Sequence, residues 1–409
     1  MSDDRVQVRR ALRALFSPLG CPDPYPLYAV LRERAPVARL PDGTVVVTRH
    51  ADCDRVLRDP LFRVEDDEWI ARTWPEGPEH LAVHSLMGEM VNQNSPHHER
   101  LRRLVSRAFT PRRVEGLRPA VQRLTDALLD DLAEHASTGP VDLMERLALP
   151  LPITVIGELL GIPEEDRAWF GPRVRDITSA IEHNLLGPDL ERADAATAEL
   201  WDRLGALVAE RQADPREDLV STLIAVRDAD GDRLTHRELL ANLVLLYSAG
   251  YETTSNLIGN GTATLLDHPG LLARLRGEPD NVAAWVDEML RFTPPIQIAS
   301  RWTGEDTELH GVHIGKGTQV VALLAGANRD PERYESPDTF LPGRPVSGSL
   351  SFGAGAHYCL GAALARMEAQ VVFPRLLARF PHIAHAGPAL ARTRVTSLRG
   401  YDRLPLDLK

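Results

Sequence analysis

The chain is short of cysteine, of long apolar runs and of repeats, and each shortage narrows what it can be. Its 409 residues include three cysteines, Cys21, Cys53 and Cys359. So odd and sparse a count does not make a disulfide framework; each cysteine is either buried filler or chemistry. The segment MSDDRVQVRRALRALFSPLG at the amino terminus holds no apolar stretch of signal-peptide or anchor length. Runs elsewhere, such as Leu243 to Tyr247, are far too short to cross a bilayer. These features predict a soluble, cytoplasmic protein without a membrane anchor. Acidic residues outnumber basic ones by 58 to 47, and the net charge of −11 argues against a nucleic-acid partner, which wants a basic face. No internal repeat or low-complexity linker divides the chain. Hydrophobic residues, at 43%, suffice for one large core, so residues 1–409 read as a single domain.

What is present is mostly helix. Val37 to Leu40 and Thr44 to Thr48 alternate in the β manner around an Asp42-Gly43 turn. Apolar residues recur at helical spacing over Val114 to Ala136, Leu143 to Leu160 and Asp189 to Gln212. The longest candidate runs from Thr235 to Asp267. Thr235 and Glu238 form a capping box at its start, and His268-Pro269-Gly270 ends it. Asp280 to Phe292 and Gly361 to Phe380 are further helices, with short β pieces between them after Arg301. Arg63 to Asn94 is the least regular stretch; its Trp69, Trp74 and Met90 predict a loop folded over something apolar. The class is mainly α with a minor β region.

One constellation carries chemistry. Phe352-Gly353-Ala354-Gly355-Ala356-His357-Tyr358-Cys359-Leu360-Gly361 sets two glycines before a cysteine and one after it, followed by the helix that opens Ala362-Ala363-Leu364-Ala365-Arg366. Glycine allows tight turns and close backbone approach. A cysteine at a helix N-terminus has its thiolate favoured by the dipole and by unsatisfied backbone N–H groups. A lone cysteine in such a turn is more often buried filler, but here the whole pattern counts. Phe352 to Arg366 resembles the haem-binding loop of the cytochrome P450 family at every fixed position. The resemblance implies haem b (iron protoporphyrin IX) with Cys359 as the metal's thiolate ligand, Phe352 and Gly353 beside the cofactor, and the triangular, mainly α cytochrome P450 fold. Thiolate ligation favours O–O cleavage.

Three other segments resemble parts of that family. Glu288 and Arg291 stand three apart on one helical face. Such pairs are usually solvated, but the family places a buried ion pair here, and Arg344 is the candidate third member. Ala249-Gly250-Tyr251-Glu252-Thr253-Thr254 resembles the oxygen-activation signature. Small residues at 249 and 250 would admit oxygen and substrate, Thr253 would open a local groove, and Glu252 would relay protons. His98 and Arg102, one turn apart after Asn94-Ser95-Pro96, resemble the segment that grips the haem carboxylates, although the family usually opens it with Asp-Pro-Pro. Arg301 and His357 would complete that grip. Arg103, Arg107, Arg112, Arg113 and Arg366 could form a basic patch for an acidic electron-transfer partner.

The function implied is monooxygenation: one atom of O2 enters a hydrophobic small molecule by hydroxylation or epoxidation. Electrons would come from NAD(P)H through a ferredoxin reductase and a ferredoxin. Pocket candidates are Trp69, Ile70, Trp74, Met90, Leu243, Leu246, Tyr247, Ile296, Ile298 and Leu398. Simple core packing explains each of these at least as well when taken singly. Their apolar character suits a polyketide, macrolide or macrolactam from natural-product biosynthesis, with a terpenoid or steroid-like substrate as the alternative. Peroxide-driven fatty-acid hydroxylation is a rival, opposed by the Glu252-Thr253 pair. A non-catalytic haem sensor or carrier is a second, opposed by the same residues.

Overall fold

The computed structural model describes residues 3–17, 20–182, 188–227, 231–392 and 397–409. The chain gathers into two compact units. One is built from Met1–Arg63, Gln122–Ala148 and Thr253–Lys409, the other from Val64–Val121 and Leu149–Glu252.

The first unit carries the sheets. Its main sheet has the strand order Val37–Arg39, Val45–Val47, Gln319–Ala322, Ala299–Thr303 and Phe62–Arg63. The first two strands pair antiparallel, with Val37 opposite Val47. Gly43 takes a φ of +96° between them, and Asp42 accepts the Thr44 N–H at 3.0 Å. Val45–Val47 then runs parallel to Gln319–Ala322. All three valines are fully buried because the sheet is covered on both faces. Val45 and Val47 pack with Cys53, Val56 and Leu324. Val46, pointing the other way, packs with Leu12, Tyr28 and Leu31. Cys53 is therefore core filler, and burial pushes its thiol well above the ordinary value.

The second unit has no strand among its described residues. It contains the helices His97–Ala108, Glu164–Glu182 and Pro188–Ala213, together with the first half of the central helix, His236–Leu266. The capping box forms as the spacing predicts: Thr235 N–H donates to Glu238 at 2.8 Å and Glu238 N–H to Thr235 Oγ1 at 3.2 Å. No helix among the described residues is long and apolar enough to cross a membrane.

Three predicted segments differ from what forms. Leu143 to Leu160 is not one helix. It is a π-helical turn, Met144–Ala148, followed by the helix Pro150–Leu160. Pro150 has no N–H to continue a hydrogen-bond ladder, so the break falls there. Val114 to Ala136 divides into Pro111–Gly116 and Arg118–Ala136. Arg63 to Asn94 is not a loop but a run of short helices, Asp67–Thr73 and Leu81–Leu86, with 3-10 turns at Gly77–Glu79 and Met90–Asn92. Asp66 caps the first of these by accepting the Trp69 N–H.

Candidate functional site: the cysteine loop and the central helix

Cys359 is exposed and in no disulfide, just before the helix Ala362–Arg379. Its N–H donates to the Phe352 carbonyl at 2.9 Å, closing the loop on itself. Gly353 and Gly355 both take a φ of +69°, where a side chain would be strained. Gly355 carries a second constraint: a Cβ there would lie 2.7 Å from the Leu57 carbonyl oxygen. A Cβ on Gly361 would stand 3.9 Å from the Cys359 sulfur, so the glycine leaves room beside the thiol.

Under this loop lies a buried charge network. Glu288 and Arg291 sit on the helix Val282–Phe292, both with no exposed side-chain surface. Arg291 donates twice to Glu288, at 2.7 and 2.8 Å. Its other N–H groups reach the carbonyls of Asn328, Pro337 and Thr339. Arg344 brings its Nε to 3.1 Å from the same carboxylate and donates to the carbonyls of Glu335, Ser336 and Thr339. The Leu341 N–H adds a further bond to Glu288 at 2.8 Å. The charges are paired and hydrogen-bonded, which is what makes their burial tolerable.

The central helix is buried from Leu239 to Leu265 except at four residues: Ser248, Ala249, Gly250 and Thr253. Ala249 and Thr253 are one turn apart, so a stripe of small side chains on one face remains accessible. Gly250 is small for a packing reason as well, since a Cβ there would meet the Ile156 side chain at 3.2 Å. Glu252, just before Thr253, is buried.

The predicted carboxylate-gripping residues occupy three elements. His98 is buried near the start of His97–Ala108, and Arg102 is half-buried one turn later. Arg301 is buried on Ala299–Thr303, where one guanidinium N–H donates to the Ser300 carbonyl at 2.7 Å. His357 lies in the 3-10 turn Gly355–His357 before the cysteine.

The pocket candidates scatter more widely. Ile70 and Trp74 pack with Val83, Met87 and Leu190 in a small core. Trp69 is half-buried, with Arg72 over its ring at 4.9 Å. Met90, Leu243 and Leu246 are buried. Tyr247 packs at a tilt against Phe170 and donates to the Arg167 carbonyl; burial raises its phenol well above the ordinary value. Ile296 bridges to Leu398, and Ile298 packs against the Val46 face of the main sheet.

Sequence reasoning did not single out Asp287. This residue precedes Glu288 and holds Arg366 at 2.7 Å, while the guanidinium lies 4.4 Å over the Phe352 ring. The only signal was its adjacency to the Glu288–Arg291 pair. The same contact means that Arg366 is already engaged within the protein. Arg113 is engaged too, donating to Thr222 at 2.8 Å and to the Ala108 carbonyl.

Among the described residues no three His, Cys, Asp or Glu side chains gather as a metal cage. A single accessible thiol with space kept beside it suits instead a metal that arrives with its remaining ligands already attached, as in a planar macrocycle. The residues present therefore fit a haem.

Comparison with known proteins agrees. The family model described as Cytochrome P450 matches residues 172–389. The chain is 43% identical to the cytochrome P450 monooxygenase PikC of Streptomyces venezuelae, over 88% of this chain and 85% of that protein. It is 40% identical to the vitamin D(3) 25-hydroxylase of Pseudonocardia autotrophica, over 96% of each. Among solved structures it superposes on the bacillaene polyketide synthase cytochrome P450 PksS of Bacillus subtilis with a TM-score of 0.87 at 33% identity, covering 96% of this chain and 100% of that one. With the loop, the fold and these relatives in agreement, the chain belongs to the cytochrome P450 family, the haem-thiolate monooxygenases.

Proposed function

We propose that Cys359 is the thiolate ligand of a haem b and that the protein oxygenates a hydrophobic natural product of the polyketide, macrolide or macrolactam kind. The observation that carries the ligand assignment is the accessible Cys359 thiol, held in a loop whose glycines fix its backbone and keep space beside the sulfur. When bound, the haem supplies the oxygen chemistry: one oxygen atom enters the substrate and the other leaves as water. His98, Arg102, Arg301 and His357 offer cationic or hydrogen-bonding groups to its two carboxylates. Thr253 holds a proton-bearing hydroxyl on the accessible stripe of the central helix, and Glu252, one residue before it, feeds protons toward it. Ala249 keeps that stripe low enough for a substrate to lie against it.

The polyketide assignment draws on the likeness to PksS, and the apolar candidates Met90, Leu243 and Leu246 agree with it. A sterol-like substrate is the second reading, favoured by the likeness to a vitamin D(3) hydroxylase. Electrons come from NAD(P)H through a ferredoxin reductase and a ferredoxin in the cytoplasm, and residues 1–409 act as one catalytic domain. Turnover with a surrogate ferredoxin system should exceed turnover with peroxide alone; the reverse result would replace this electron route.

The ligand assignment is tested by the absorption of the reduced, carbon-monoxide-bound protein. Wild type should show the red-shifted Soret band of thiolate ligation. Cys359→His should lose that band while still binding haem. A haem-loaded wild type without it would sink the assignment.

A further inference from the structure

The first unit holds a cavity of about 560 Å³, lined wholly by its own residues. That volume falls in the range of small-molecule sites. No residue assigned above to the haem, to oxygen or to the substrate lines it.

Two guanidiniums stand in this cavity against one ring, that of Tyr25. Arg329 is buried, 3.5 Å over the Tyr25 ring and 3.9 Å over that of Phe292. It donates twice to the Phe292 carbonyl, at 3.2 and 2.8 Å. Its acid partner is Asp338 at 3.3 Å, a side chain 66% exposed, and burial pulls the arginine below its ordinary pKa. Arg399 stands 5.8 Å from the Tyr25 ring. It donates to the Pro22 carbonyl at 2.8 Å and has no acid partner among the described residues. Its backbone is pinned as well: the N–H donates to the Pro295 carbonyl at 2.8 Å, and the carbonyl accepts from Asn260 of the central helix at 3.1 Å. The Arg399 charge acts on Tyr401, which shares the cavity. Burial raises the Tyr401 phenol, so it is a donor at neutral pH, and its hydroxyl has no partner among the described residues.

The other acids of the lining, Asp23 and Asp267, are exposed. Asp23 accepts the Tyr25 N–H at 3.2 Å, and Asp267 lies 3.6 Å from His385. Water and salt screen such charges more than the partly buried guanidiniums. The cavity therefore offers an anion one uncompensated cation and one under-compensated one.

We infer that this cavity is a second binding site, and that it takes a flat aromatic carboxylate. Arg399 receives the carboxylate and Tyr401 adds a hydroxyl donor. The ring packs against Tyr25 and Phe292, beside the Arg329 guanidinium. An inorganic anion would leave most of the volume and the aromatic walls unused. The inference stands apart from the haem reading, since no residue is shared.

The test uses the haem-loaded full chain with 2-naphthoate and its neutral match, 2-naphthamide, followed by calorimetry at neutral pH. Wild type should bind the naphthoate about tenfold tighter or more, a difference of about 1.4 kcal/mol. Arg399→Gln should bring the ratio close to one by weakening the naphthoate alone. Ala29→Trp, which fills the cavity from its lining, should abolish binding of both. Occupying the iron with 4-phenylimidazole should leave the naphthoate affinity unchanged. A wild type that binds the naphthoate no tighter than the amide, or binds neither, overturns the inference whether or not the variants fold. So does a preference that survives Arg399→Gln, binding that survives Ala29→Trp, or competition with 4-phenylimidazole.

Discussion

Two glutamates of this protein are buried almost alike and live in opposite electrostatic settings. Glu288 has no exposed side-chain surface and is met by two guanidiniums and a backbone N–H. Glu89 is 4% exposed and is met by none of these. A buried charge surrounded by partners is a structural device: its removal strands the charges left behind. A buried acid without partners contributes nothing to the fold by its charge, and its presence needs a reason outside the fold. Burial alone therefore does not separate structural from functional carboxyls; the census of partners does.

That contrast can be broken by substitution. The largest effect should come from Glu288→Gln, which leaves Arg291 and Arg344 buried without their counter-charge. A loss of about 3–5 kcal/mol is expected from breaking a buried pair, read as a lower urea midpoint and poor haem retention. A change under about 1 kcal/mol would remove the network from the list of structural devices. Glu89→Leu should act in the opposite direction, stabilising the protein by about 1 kcal/mol at neutral pH by removing an unsatisfied polar group. Its pH signature is specific. Glu89 binds its proton more tightly folded than unfolded, so its contribution to stability falls as pH climbs from the ordinary carboxyl value of 4.5 through the raised folded value. In Glu89→Leu the decline of the melting temperature above that pH should be shallower than in wild type, and an unchanged slope would count against the raised value. The smallest effect belongs to Asp287→Asn. Its pair with Arg366 is about one-third exposed on both sides, so stability should change by about 0–1 kcal/mol. The reduced carbon-monoxide spectrum shows whether the Phe352 ring beneath Arg366 has moved.

Local signals were legible in the sequence, and distant ones were not. The ends of the central helix could be read to within a residue, because a capping box and a Pro-Gly stop are written side by side in the chain. The cysteine loop was readable for the same reason: its glycines and thiol are neighbours. The break at Pro150 was also local, and it was missed because apolar periodicity runs unbroken across it. The parallel pairing of Val45–Val47 with Gln319–Ala322 joins segments too far apart for any periodicity to register. Glu89 was invisible for that reason too. Between Gly88 and Met90 it reads as an ordinary surface acid, whereas Asn242, 152 residues beyond Met90, bonds the backbone on either side of it. Gly250 was legible as a small residue, but the close approach of Ile156 was not.

The seat of Gly355 against the Leu57 carbonyl has a consequence for how the protein comes into being. The loop that shapes the thiol leans on backbone made near the start of the chain and is itself made near the end. Contacts so remote in sequence form late, after the closure of a very long loop. The sulfur thus acquires its final surroundings only once these two remote segments have met. A chain in which Leu57 and Gly355 have not yet come together has no finished seat for a haem.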